Sequence, residues 1–270
     1  MELGLSSRIA IVTGASAGIG RAIALRLARE GASLAISARG EERLREAGAE
    51  IQSIGANVEA IPADVATAEG CRSVVEGALR RFGRVDILVN NAGGGGGPPG
   101  FLALTDEDWQ HAFDLNLMSA VRCSRSAIPH MQSQGSGRIV NISSTSAIEP
   151  DVVVCHYNAA KAGLVNLTKT LANSYAAGGI LVNCICPGLT RTPAVEDAAR
   201  QRLAESGEPT ESLSGEELVR AYFGPRRPIP VGRIGEPEDI AGIVAFLCSE
   251  QASWITGTCI NVDGGWVKGI

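Results

Sequence analysis

The sequence predicts an α/β protein built on a doubly wound, seven-stranded parallel sheet with helices on both faces. Two observations carry the prediction. Short runs rich in Val, Ile, Leu and Ala recur between longer amphipathic stretches, and those runs are apolar throughout, as strands covered on both faces must be. Parallel neighbours cannot be joined by a tight turn, so each connection has to be a crossover, which here is helical. A third observation, a glycine-rich turn directly after the first apolar run, places a ligand site at the start of the first helix.

The elements follow in order. RIAIVT is the first strand and GIGRAIALRLAREG its helix; SLAISA leads to EERLREAGAEIQSI, NVEAIPA to the helix around CRSVVEGALRRFG, and VDILVNN ends the first half. The second half opens with a helix capped at Thr105 (TDED), followed by strand GRIVNIS and the helix bearing Tyr157. Strand ILVNCIC, a helix after Pro237 and the last strand TCINV complete it. No internal repeat and no linker interrupts residues 1–270, so one domain is expected. The stretch from about 189 to 230 departs from the rhythm: it is charged and holds two helix-like pieces, AVEDAARQRLAES and EELVRAYF, the second opened by a capping box from Ser214 to Glu217. It leaves the C-terminal edge of the sheet, where open α/β folds bind ligands, and is read as a helical lid.

Composition narrows the function classes. The chain has 270 residues, 45% of them apolar, enough for a substantial core. Its formal net charge of −5, with no Lys/Arg cluster interleaved with aromatics, argues against nucleic acid and acidic lipid as partners. MELGLSSRIAIVTG lacks the pattern of a secretory leader, and no apolar run approaches the ~20 residues of a membrane span, so a cytoplasmic protein is expected. The 7 cysteines form no CxxC pair and read as reduced core residues. The 3 histidines show no metal-ligand spacing, so no metal is expected; His156 can line a pocket beside Tyr157.

In TGASAGIG, the residues Gly14, Ser16, Gly18, Ile19 and Gly20 form a turn into a helix. Glycines let this backbone approach a pyrophosphate, whose charge is met by free N–H groups and the positive end of the helix dipole. The turn sits inside a βαβ unit, the context of a dinucleotide-binding Rossmann domain. The tip of the second strand selects the cofactor. An acidic residue there would accept from a ribose 2′-OH, but Ala38 stands in its place and Arg39 follows, a planar cation suited to a 2′-phosphate. NADP(H) is therefore expected over NAD(H), against the alternative that Arg39 is a solvated loop charge. Asp64 and Val65, after the third strand, either meet the adenine or, for Asp64, cap the next helix.

Tyr157 and Lys161 lie at i and i+4 and so share a helix face, with Ala159, Ala160, Ala162 and Gly163 leaving room around them. A ketone accepting hydride develops an alkoxide that needs a proton, and a tyrosine with pKa about 10 is a weak acid at neutral pH. The Lys161 ammonium, with the positive ring of an oxidised nicotinamide, is expected to lower that pKa. Ser144, after RIVNIS, can donate to the developing oxyanion. Ser143 is its rival, although strand alternation turns the two to opposite faces. Asn116, a poor helix former inside DLNLMSA, is read either as holding a water near Lys161 or as an ordinary interhelical amide.

Taken together, TGASAGIG (13–20), NNAG (90–93), Asn116, NISS (141–144), YNAAK (157–161), PGLTRT (187–192) and GRIGEPEDIA with VDGG (232–265) resemble the short-chain dehydrogenase/reductase family over almost the whole chain. The resemblance implies that Tyr157 is the acid/base, Ser144 orients the substrate oxygen, Lys161 supports the tyrosine and Asn116 completes a proton relay. It places Asn90, Ala92 and Gly93 near the cofactor riboses, and Pro187, Gly188 and Thr192 at the nicotinamide carboxamide. It also implies a homo-oligomer, commonly a tetramer, formed through the helices around 106–132 and 155–177 and the last strand.

The substrate class implied is a small carbonyl or secondary alcohol. Many relatives act on 3-oxoacyl chains held by an acidic carrier protein, which calls for exposed basic residues; PHMQSQGSG and LANSYAAGG are nearly uncharged, which favours a free small molecule. A member of another class, a non-catalytic dinucleotide sensor or scaffold, shares the fold but has no need of the full Asn116, Ser144, Tyr157 and Lys161 set. The loop GGGGGPPG (93–100) either widens the pocket over the substrate or is a solvent loop. Leu203, Leu213, Leu218, Tyr222 and Phe223 either roof an apolar substrate or pack between the lid helices.

Overall fold

The structure, a computed structural model, describes residues 2–224 and 228–269. Seven strands among these residues form one parallel sheet: β1 Ile9–Thr13, β2 Ser33–Ala38, β3 Val58–Pro62, β4 Ile87–Asn90, β5 Gly137–Ile142, β6 Ile180–Pro187 and β7 Cys259–Val262. Their spatial order is β3-β2-β1-β4-β5-β6-β7, every pair parallel. The order reverses direction between β1 and β4, so the crevice beyond their C-terminal ends is the switch point where ligands bind in such sheets.

The helices are α1 Gly18–Arg29, α2 Glu41–Ser53, α3 Ala68–Phe82, α4 Asp106–Phe113, α5 Ser119–Gln134, α6 Cys155–Tyr175, α7 Pro193–Glu205, α8 Gly215–Phe223 and α9 Pro237–Cys248. Alternate residues of the strands feed two cores. Val12, Ile36, Val89 and Ile185 pack with α1, α2 and α9, whereas Ile11, Ala35, Leu88 and Val182 pack with α3, α5 and α6. This two-sided burial is why the strands carry no polar alternation. At the N-terminal end of the sheet, the buried Asp86 carboxylate accepts from the Ile9 amide (2.9 Å) and is clamped by Arg84, so that edge is closed by a charge pair.

Local signals set the helix ends where the sequence places them. Thr105 and Asp108 form a capping box, as do Ser214 and Glu217, and Pro237 occupies the first turn of α9. Between α4 and α5, Asp114–Met118 is a π-turn, so the long helix carries one surplus residue where the sequence alone suggests an unbroken α-helix.

The excursion expected over 189–230 emerges as α7 and α8; residues 225–227 within it lie outside the described residues. Leu203, Leu218 and Val219 are buried against one another and Ile234, with Leu213, Tyr222 and Phe223 packed around them. Its large apolar side chains therefore serve the packing of the helix pair. The excursion is pinned at its base by Arg191, which donates two hydrogen bonds of 2.9 Å to Glu236. No helix among the described residues is long and apolar enough to cross a membrane.

Candidate active site

The site assembles at the C-terminal ends of β1, β4, β5 and β6. β1 ends at Thr13, and Gly14 (φ +65°) and Gly18 (φ +54°) take left-handed backbone to turn the chain into α1. A Cβ on Gly14 would lie 2.9 Å from the Ala92 Cα, and one on Gly20 would strike the Gly14 carbonyl oxygen and Asn91 Nδ2. Two residues that sequence reasoning passed over hold this turn. Asn91 Nδ2 donates to the carbonyls of Thr13 (2.9 Å) and Gly14 (3.1 Å), and Thr13 Oγ accepts from the amides of Asn91 (3.0 Å) and Ala92 (3.1 Å). Both lay inside the quoted motifs, but their hydrogen bonds cross between two strands. The Ala17 cap offers no side chain to the first amides of α1 and the first turn holds no acid, an arrangement suited to an anion.

The Ala15 amide donates to the Ser37 carbonyl (3.0 Å), which brings the tip of β2 against the glycine turn. Arg39, two residues further, is exposed and makes no ion pair among the described residues. Asp64 is exposed; its Oδ1 accepts from the Ala66 amide (3.0 Å), while the cap of α3 is Thr67, which accepts from Gly70 (3.0 Å). Val65 is buried.

Asn90 does not turn its side chain toward the crevice. It is buried and donates to Ser124 (3.2 Å) and Asn141 (2.8 Å), and Asn141 in turn donates to Thr168 (2.9 Å), an amide chain that ties β4, β5, α5 and α6 together. Gly93, by contrast, lies at the centre of the site: a Cβ there would be 2.7 Å from Asn116 Oδ1 and 2.9 Å from Lys161 Nζ. Asn116 sits in the π-turn, where its Nδ2 donates to the Ala112 carbonyl (3.0 Å) and to the Gly94 carbonyl (3.0 Å) while its Oδ1 accepts from the Gly94 amide (2.9 Å). The wide turn frees it to grip the loop after β4, beside Lys161.

Ser143 and Ser144 diverge as strand alternation requires. Ser143 is buried and donates to the Lys161 carbonyl (2.8 Å), anchoring α6 to β5. Ser144 lies beside Tyr157, close enough to favour its phenolate, and its hydroxyl oxygen accepts from the Ser146 amide (3.1 Å). The Lys161 ammonium is 3% exposed, donates to the Ile142 carbonyl (2.8 Å) and stands 5.6 Å from the Tyr157 ring centroid. The protein groups alone do not supply the lowering of the Tyr157 pKa expected from Lys161 together with an oxidised nicotinamide. Burial raises it above its ordinary value, the neighbouring Ser144 opposes that rise, and the Cys186 sulfur adds to it. Lys161 directs its ammonium at the Ile142 carbonyl.

Burial lowers the Lys161 pKa to about 8, against the opposing pull of the Cys184 and Cys186 sulfurs. Because the unfolded chain keeps this proton to a higher pH, Lys161 lowers stability most below pH 8, and that penalty fades as pH rises toward the ordinary lysine value. Denaturant unfolding should therefore show wild type gaining on Lys161→Met between pH 8 and 10, by up to roughly 2–3 kcal/mol; parallel curves would contradict it.

The small residues of α6 do not surround the Tyr157–Lys161 pair as expected. Only Ala160 is buried near it, Gly163 packs on Leu117, and Ala159 and Ala162 face outward, because a helix spreads consecutive positions around its axis. The glycine loop is exposed from Gly93 to Pro99, yet one side of it leans on α6. Gly95 approaches Tyr157, with a Cβ there 3.6 Å from the ring, and the Gly96 carbonyl lies 2.8 Å from Nε2 of the buried His156. Pro187 ends β6; Gly188 donates to the Val262 carbonyl (3.0 Å) and approaches Asp263 so closely that a Cβ would be 2.6 Å from its Cβ. Thr192 caps α7 and lays its methyl against Gly18, within 3.0 Å of where a Cβ would be.

A parallel sheet with a glycine turn at its switch point, and a serine, tyrosine and buried lysine beside it, defines a dinucleotide-type oxidoreductase site. The family model described as short chain dehydrogenase matches residues 8–203, and the chain belongs to that family of dehydrogenases and reductases. It is 37% identical to "Dehydrogenase/reductase SDR family member 4" of Homo sapiens, over 97% of this chain and 88% of that protein. It is 36% identical to the 3-oxoacyl-[acyl-carrier-protein] reductase of Synechocystis sp., over 97% and 98%. Among solved structures, L-sorbose reductase from Gluconobacter frateurii, complexed with NADPH and L-sorbose, superposes with TM-score 0.91 at 38% identity, covering 100% of both chains.

Proposed function

We propose that this chain is an NADP(H)-dependent oxidoreductase that interconverts a ketone and a secondary alcohol, with Tyr157 as acid/base. The observation that carries the reading is the grouping of Tyr157 with its neighbour Ser144 and the buried Lys161, whose ammonium stands 5.6 Å from the ring centroid, at the same sheet edge as the glycine turn. The turn fits a dinucleotide because Gly14 and Gly20 let the β1–α1 backbone fold tightly against the segment after β4, and the α1 amides have no side-chain cap. Gly14, Ser16, Gly18, Ile19 and Gly20 would hold the pyrophosphate, Arg39 a 2′-phosphate, and Asp64 and Val65 the adenine. The backbone at 90–93, with Tyr157 and Lys161, would hold the riboses, and Pro187, Gly188 and Thr192 the carboxamide.

When bound, the nicotinamide supplies or accepts the hydride. The protein's own work is proton handling and placement. Ser144 donates to the substrate oxygen and holds the Tyr157 hydroxyl toward it, so that the phenol delivers a proton as the alkoxide develops. A neutral phenol is the form that reduction needs, and burial keeps it neutral. Lys161, still largely an ammonium at pH 7, stabilises the phenolate left behind, and Asn116, fixed on the Gly94 backbone, keeps the loop and lysine in register. The chain acts as one domain, with α7 and α8 as its substrate lid. The neutral ends of α5 and α6 support a free small-molecule substrate over a carrier-bound one, and the outward Ala159 and Ala162 give α6 a flat face suited to pairing with a second copy.

The test measures kcat/KM with NADPH and NADH over a panel of ketones, for wild type and for Ala38→Asp with Arg39→Ala. Wild type should prefer NADPH, and the double change should shift the ratio toward NADH by roughly 10- to 100-fold, the worth of one charge-assisted hydrogen-bond site. An unchanged ratio counts against Arg39. If no ketone is reduced with either cofactor while the dinucleotide still binds, the chain is a sensor or scaffold instead.

A further inference from the structure

β6 and β7 pair in register Cys184 with Cys259 and Cys186 with Asn261. Cys184 and Cys186, at i and i+2, therefore point to the same face of the sheet, and Cys259 on the edge strand points there too. The three Sγ atoms lie within 4.8 Å of one another, with Cys186 and Cys259 only 3.2 Å apart. Cys184 and Cys186 are fully buried and Cys259 is exposed, so the group has a dry floor and an open mouth.

We propose that Cys184, Cys186 and Cys259 form a binding site for a thiophilic closed-shell cation of the Zn²⁺ type. With metal–sulfur bonds of about 2.3 Å, three thiolates around one ion stand about 3.8–4.0 Å apart, a spacing the observed sulfurs bracket and reach by small side-chain rotations. The open side at Cys259 leaves a fourth position for water and a path of entry. A disulfide would use only two of the three sulfurs, the in-register pair Cys184 and Cys259 being the one whose strand spacing suits it, whereas a metal ion takes all three. Metal binding would release the protons of the thiols to solvent.

Reduced, metal-free full-length protein is titrated with Cd²⁺, following the ultraviolet thiolate-to-metal charge-transfer band, and with Zn²⁺ by equilibrium dialysis. One ion per chain is expected for each. Cys259→Ala, an exposed edge-strand change that spares the core, should abolish the band and weaken Zn²⁺ binding by roughly 100-fold or more. Absence of the band in wild type overturns the proposal, as does undiminished binding in Cys259→Ala, which would place the metal on other thiols.

Discussion

Tyr157→Phe should lower turnover by roughly 10²- to 10⁴-fold, the range for loss of a positioned proton donor, while leaving NADPH affinity within a few-fold. The ring itself remains to fill the space between Gly95 and Lys161, so only the hydroxyl beside Ser144 disappears. Cofactor fluorescence titration and ketone-dependent NADPH oxidation separate the two quantities. Turnover retained within threefold would remove Tyr157 from the chemistry; equal loss of cofactor binding would make it a binding residue instead.

The second large effect is expected at Gly20. Its substitution by Ala puts a methyl group against the Gly14 carbonyl and Asn91 Nδ2, the two groups that brace the turn. Neither is the free end of a long side chain, so the turn itself has to shift. Overpacking of this kind costs roughly 1–3 kcal/mol of stability, and displacement of the amides should weaken NADPH binding by at least about tenfold. Calorimetric titration beside a urea unfolding curve reads both. Wild-type affinity in Gly20→Ala would show that the turn does not cradle the dinucleotide.

Much of this architecture is legible in the residues because its signals are local. The apolar runs gave strands, Thr105, Ser214 and Pro237 gave helix starts, and the spacing of Tyr157 and Lys161 put both on one face. What eluded the reading is what only pairing creates. Asn90 belongs to an amide chain with Asn141 and Thr168, residues far away in sequence. Cys259 meets Cys184 because β7 lies beside β6, a neighbour relation no spacing rule contains. The acidity of Tyr157 is set by terms of both kinds: helical proximity of Lys161 is visible in the sequence, but burial of the phenol and the pull of the Ile142 carbonyl on the ammonium are not. Composition cannot say whether a lid leucine faces a ligand or its neighbour; the packing of Leu203 with Leu218 answers it.

The π-turn at Asp114–Met118 makes the length of the segment between Thr105 and Gly135 a functional quantity in its own right. Removing a single residue there would let the helix wind regularly, a gain in backbone regularity, yet would swing Asn116 about 100° round the axis and away from the Gly94 backbone. Selection at this place thus acts on a count of residues as much as on their kinds, and a variant library of substitutions alone would never reveal it.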